Sequence, residues 1–219
     1  MISKKQLGQF TIFIFAIVSL VACGGGDSND NFSGSTRSDI SGDWLTDCIQ
    51  FTDGTSEFRS ASFLKNDNGD DVFFSGITEF SSDDCSSDSD TLVIGGPVSY
   101  RGGYSTSTCN AEKFDVVGVF ASDGVTSVVG DAFQEFLDDS GIPERSFDIA
   151  CKRGQQLLLG DDTGSLDGTT SGQRPTSMRV GIPYNVWNRS ERSASKNSVS
   201  LTDHAEQINS SLRSLNNNY

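Results

Sequence analysis

The stretch Lys113 to Ala121, KFDVVGVFA, decides how the body of this chain is built. Phe114, Val116, Gly118 and Phe120 alternate with their neighbours at a period of two. That spacing puts them on one face of a β-strand. Ser122-Asp123-Gly124 follows as turn chemistry and returns the chain through Val125 to Val129, so the segment predicts a hairpin.

Upstream of that hairpin the pattern recurs. Trp44 to Phe51, Glu57 to Leu64 and Val72 to Phe80 are strand-like runs rich in aromatic and β-branched residues. A fourth, Thr91 to Tyr100, is broken by Gly95-Gly96-Pro97. The runs are separated by Asp53-Gly54, by Lys65 to Asp71 around Asn68-Gly69, and by the serine- and aspartate-rich Ser81 to Asp90. Downstream, Asp131 to Asp139 can form one or two helical turns, ended by Gly141 and Pro143. Arg145 to Lys152 and Gln155 to Leu159 then form a second hairpin about Arg153-Gly154. About eight short strands with closely spaced turns predict an all-β antiparallel barrel or sandwich over residues 38–186.

The flanks differ from the body. Lys4 and Lys5 precede Phe10 to Val21, an apolar run interrupted by Thr11 and Ser19. It is shorter than the roughly 20 residues a membrane-spanning helix requires, and it fits the core of a signal peptide, residues 1–22. Residues 23–37 are mostly Gly, Ser, Asn and Asp and read as a flexible tether. In the tail, residues 187–219, Leu201, Ala205, Ile208, Leu212 and Leu215 recur at helical spacing and predict a short C-terminal amphipathic helix. Ser200 and Asp203 stand at the spacing of a capping box.

Charge and cysteines narrow the function. Removal of residues 1–22 takes the formal charge from −14 to −16 by losing two lysines. So acidic a chain is unsuited to binding nucleic-acid phosphates. Residues 23–170 hold 8 basic and 27 acidic side chains, whereas residues 171–219 hold 6 and 3. Beyond Cys23 four cysteines remain: Cys48, Cys85, Cys109 and Cys151. An even number in an exported chain predicts two disulfides. Three pairings are formally possible, of which we expect the sequential one, Cys48–Cys85 with Cys109–Cys151. Zinc is disfavoured because there is no CxxC and the sole histidine, His204, lies in the tail.

No catalytic, metal or cofactor site is expected. A Gly-x-Ser-x-Gly elbow and the nucleotide fingerprints are absent. Lys65 to Asp71 fails as a calcium loop, because Leu64 falls at the first ligand position and Ser75 at the twelfth. The acids of Ser81 to Asp90, Asp138-Asp139 and Asp161-Asp162 read as solvated turns.

Leu20-Val21-Ala22-Cys23 resembles the lipobox of bacterial lipoproteins. That resemblance implies lipidation of Cys23, a cell-envelope address and, with Gly24 next, sorting to the outer membrane. The body resembles lipocalin-like envelope lipoproteins. Gly42-Asp43-Trp44 matches the lipocalin Gly-x-Trp, whose tryptophan closes one end of the barrel beneath an arginine from late in the chain. Arg153 and Arg174 are the candidates for that arginine. The Trp44, Cys48, Cys85, Asp167-Gly168-Thr169 and Arg174-Pro175-Thr176 series is similar to that of envelope lipoproteins of uncharacterised role. Two expectations result: a non-catalytic barrel holding a small apolar ligand, or a structural lipoprotein working through protein contacts. The partners implied are the membrane, through Cys23, and either such a ligand or another envelope protein.

Overall fold

A computed structural model describes residues 37–86, 89–123 and 126–187. The lipobox with Cys23, the tether up to residue 36 and the tail helix lie outside the described residues. Eight strands close into an antiparallel barrel. They are β1 (Gly42–Thr46), β3 (Ser56–Lys65), β4 (Asp71–Phe80), β5 (Ser89–Ser105), β6 (Asn110–Val117), β9 (Arg145–Arg153), β10 (Gln156–Leu159) and β11 (Tyr184–Val186). The ring runs β1-β3-β4-β5-β6-β9-β10-β11 and returns to β1, because Trp44 pairs with both Ala61 and Val186. Closure leaves no free edge around the ring and excludes the sandwich. Three further strands lie off the ring: β2 (Ile49–Gln50), β7 (Phe120–Ser122) and β8 (Ser127–Val129). Among the described residues two α-helices join them, α1 (Arg37–Ile40) and α2 (Asp131–Ser140).

The alternating residues of each strand divide into an inner and an outer set. Trp44, Ala61, Phe63, Phe73, Val98, Phe114, Val116, Ala150, Leu157 and Tyr184 form the inner core. Phe63, Phe73 and Phe114 meet at ring-centroid distances of 4.6, 5.2 and 5.3 Å and fill the middle of the barrel. Small barrels of eight strands are just wide enough to be filled in this way.

Two register shifts depart from the sequence reading. The expected strand Trp44 to Phe51 is interrupted at Asp47-Cys48. Leu45 faces Ser60 while Ile49 faces Glu57, so one residue is gained. The decisive stretch Lys113 to Ala121 is broken in the same manner. Val116 faces Val98, but Phe120 faces Gly95. The extra residue at Gly118-Val119 turns Phe120 away from Phe114 and Val116 into a separate outer cluster with Val72, Phe74 and Val93.

Gly95-Gly96-Pro97, expected to break the fourth strand, instead lets β5 continue unbroken. A Cβ on Gly96 would stand 1.9 Å from the Val117 carbonyl oxygen, and one on Gly95 would stand 1.9 Å from the Phe74 ring. Only glycine fits where β5 changes partners from β7 to β6. The remaining differences are small strands. β2 and β11 are too short to stand out as periodic runs, and β11 closes the ring only because Tyr184 and Asn185 find β10 on one side and β1 on the other.

Candidate functional site

The two ends of the barrel are built differently. At the end where β1 begins, the connections between strands are short: 66–70, 106–109 and 154–155. There α1 places Ile40, fully buried, against Trp44, and the indole Nε1 of Trp44 donates to the Ile40 carbonyl at 2.9 Å. The turn at 66–70 is closed by Asn66, whose Oδ1 accepts from the backbone N–H of Asn68 and of Asp70. That pattern is a turn holding itself, as the sequence indicates.

All the long connections, 47–55, 81–88, 118–144 and 160–183, gather at the opposite end. Here the inner face of β3, β4 and β5 carries Glu57, Arg59, Ser75, Ile77, Glu79, Asp90, Leu92 and Ile94, as the cross-strand registers require. Ser75, Glu79 and Asp90 are exposed and Ile77 is half-buried, so solvent enters this end. One wall is completed by α2, whose Phe133, Phe136 and Leu137 pack on Leu92, Ile94 and Ala121. The helix stops at Gly141, which adopts a left-handed φ of 70° and donates its N–H to the Leu137 carbonyl.

At this mouth Glu57, only 5% exposed, accepts a 2.5 Å ion-pair hydrogen bond from Arg59 Nε. Partial burial, with Glu57 and Asp90 nearby, pushes the Glu79 carboxyl up, and Arg59 partly offsets the rise. Tyr184 is buried and its phenol is pushed up to about 12 by desolvation, so it stays protonated. The mouth therefore combines an apolar wall, a rim of carboxylates and one guanidinium above a solid aromatic floor.

The arginine candidates fall elsewhere. Arg174 lies on the outside of the barrel in the 160–183 connection. Its Nη1 donates to the carbonyls of Phe114 at 2.6 Å and Asp148 at 2.7 Å, its Nη2 pairs with Asp115, and its guanidinium rests on the Phe147 ring. It fastens β6 to β9 from outside. Arg153 is exposed at the end of β9. The structure thus gives Trp44 the Ile40 carbonyl as its polar partner, and gives Arg174 a separate role as the clasp of a strap.

The same strap buries the carboxylate of Asp148. Its Oδ1 accepts from the backbone N–H of Ile149 at 2.7 Å and of Gly160 at 3.1 Å. A Cβ on Gly160 would lie 2.3 Å from that oxygen and 2.6 Å from Pro175, so the carboxylate is walled in although the residue keeps some exposed surface. Desolvation pushes it up to about 6 against the pull of those two hydrogen bonds and of Arg179 and Arg174. Asp115, by contrast, is held down by Arg174 and Arg101 despite its own burial.

Both disulfides are the sequential ones, Cys48–Cys85 and Cys109–Cys151. The first ties the 47–55 connection to the 81–88 connection beside the mouth. The second is buried on the outside of β6 and β9 with Ala111, Ile149, Leu158 and Met178. Among the described residues there is no group of three or more His, Cys, Asp or Glu placed to hold a metal ion. No helix among them is long and apolar enough to cross a membrane.

Sequence reading missed the Glu57–Arg59 pair and Glu79. A signal existed: charged residues at alternate positions within β3 and β4 must share one face. Only closure of the ring shows that this face is the inside. Fold and site together define an eight-stranded antiparallel barrel, stapled by two disulfides, with one plugged end and one open end. No family model matches the chain, and no curated protein matches it.

Proposed function

We propose that this chain is a lipid-anchored protein of the bacterial cell envelope, sorted to the outer membrane, whose barrel is a non-catalytic binding module. The observation that supports binding is the open end. Ile77, Leu92 and Ile94 face inward there without being fully enclosed, above a floor of Phe63, Phe73 and Phe114. An apolar wall with a few placed polar groups is what a small-ligand site requires. The ligand is a small molecule with an apolar body, held at the mouth rather than deep in the barrel. Cys23 supplies the anchor, and residues 24–36 join it to the barrel.

A second reading has its own support. Phe63, Phe73 and Phe114 meet in the middle of the barrel, and a filled middle favours a barrel that works through protein contacts instead.

Native mass spectrometry of residues 24–219, exported through an oxidising compartment, separates the two. A discrete adduct lost on denaturation, and absent from an Ile77→Arg variant that keeps both disulfides, is expected for a ligand carrier. A bare monomer overturns that reading in favour of protein contacts.

A further inference from the structure

The barrel is electrically polarised along its axis, and both of its chain ends leave at the same pole. From these two facts we infer that the plugged end is a membrane-facing surface and that the open mouth points away from the bilayer. The inference rests on the proposed anchor at Cys23.

The chain enters the plugged end through α1 and β1. It leaves there too, since Trp187 donates its backbone N–H to the Asp43 carbonyl at 2.8 Å. Cys23 lies only fourteen residues before Arg37. By its Gly-, Ser- and Asn-rich composition a stretch of that length spans about 20 Å on average. The barrel is about 25 Å tall, from ten-residue strands tilted as closure demands. The tether therefore holds the plugged end close to the lipid, and the mouth stands farther out by the height of the barrel.

Charge selects the same orientation. The four connections of the open end carry 14 acidic residues and two basic ones, Arg174 and Arg179. The three connections of the plugged end carry two acidic residues, Asp67 and Asp70. Strand residues reinforce the contrast. Toward the plugged end Lys65, Arg101, Lys113, Lys152 and Arg153 outnumber Asp43, Asp71 and Glu112, with Lys65 paired to Asp71. An anionic lipid surface repels acidic groups brought within a Debye length, about 8 Å at physiological salt. Tumbling the barrel mouth-down would carry most of its negative charge into that layer. Standing it on the plugged end brings a nearly neutral face with several lysines and arginines to the headgroups instead. The partner of this surface is the headgroup layer of an anionic bilayer.

Two variants of the mature lipidated protein test this, each with one added cysteine labelled by a donor dye: Asn68→Cys in the turn of the plugged end and Glu135→Cys on the exposed face of α2. Each is reconstituted into vesicles of phosphatidylethanolamine and phosphatidylglycerol that contain an acceptor-labelled lipid. Intact disulfides are verified by mass. Energy transfer from position 68 is expected to exceed that from position 135 by roughly twofold, given the height of about 25 Å between the poles. The excess shrinks when phosphatidylcholine replaces the anionic lipid. Equal or reversed transfer from vesicle-bound protein overturns the orientation and leaves the anchor standing. Failure of the protein to float with the vesicles overturns the anchor, and the orientation with it.

Discussion

The plugged and open ends of this barrel are made of the same strands, yet they behave as two materials. At the plugged end short turns satisfy their own backbone groups, and Ile40 and Trp44 seal a core continuous with three phenylalanines. At the open end long acidic connections leave part of the inner face wet, and charged side chains occupy positions that are apolar a few residues away along the same strands. Strand alternation decides which residues face in. The connections at each end decide whether facing in means being buried. Stability should therefore be concentrated in the middle and at the plugged end.

Phe114→Ala tests that most severely. It removes a fully buried ring from the aromatic floor and should cost about 3–5 kcal/mol, whereas Ile77→Ala at the mouth should cost well under half as much. Urea midpoints of the two variants measure the difference, and equal losses would break the contrast between the ends. Gly96→Ala comes next. Its Cβ would press on the Val117 carbonyl where β5 changes partners, and a loss of about 2–3 kcal/mol in the same measurement is expected. A neutral result would mean that the strand exchange is looser than the structure shows.

Arg174→Ala, which leaves the half-buried Asp115 and two carbonyls with fewer partners, should cost about 2 kcal/mol. Arg153→Ala should stay within about 0.5 kcal/mol, as for other exposed surface positions. Thermal unfolding of this pair separates the two arginines that the sequence left equivalent.

Asp148 gives the most specific effect. Its carboxyl is raised from 3.8 to about 6 in the folded protein, so the native state holds a proton more tightly than the unfolded chain. This group therefore costs stability as pH rises from about 4 to 6, and the cost is fully present above 6. Asp148→Asn should remove that slope and stabilise the protein at pH 7.5 by on the order of 1–2 kcal/mol, with little effect at pH 4. Urea midpoints at the two pH values check the sign. A variant less stable at pH 7.5 would show that the hydrogen bonds from Ile149 and Gly160 outweigh the desolvation.

Most strands were legible because a half-buried strand leaves a period of two in its sequence. β3, β4, β9 and β10 lie within a residue or two of their expected bounds, and so does the helix after Gly130. The cysteine pairing matched the sequential expectation. The site was far less legible. Glu57, Arg59 and Glu79 are ordinary surface residues until a ring closes around them, and the misplaced face of Phe120 came from a bulge that alternation alone cannot reveal.

The sequence by itself determined the all-β character, the turns, the even set of body cysteines, the acidic charge and the expectation of an anchor at Cys23. These are local or compositional properties, carried by neighbouring residues. The tertiary structure alone decided that the sheet closes, that its middle is solid, which end is open, and that Arg174 clasps the outside while Trp44 turns to Ile40. Each of these depends on contacts between segments distant in sequence, such as Trp44 with Val186 and Phe63 with Phe114. No periodicity within either segment encodes such a contact.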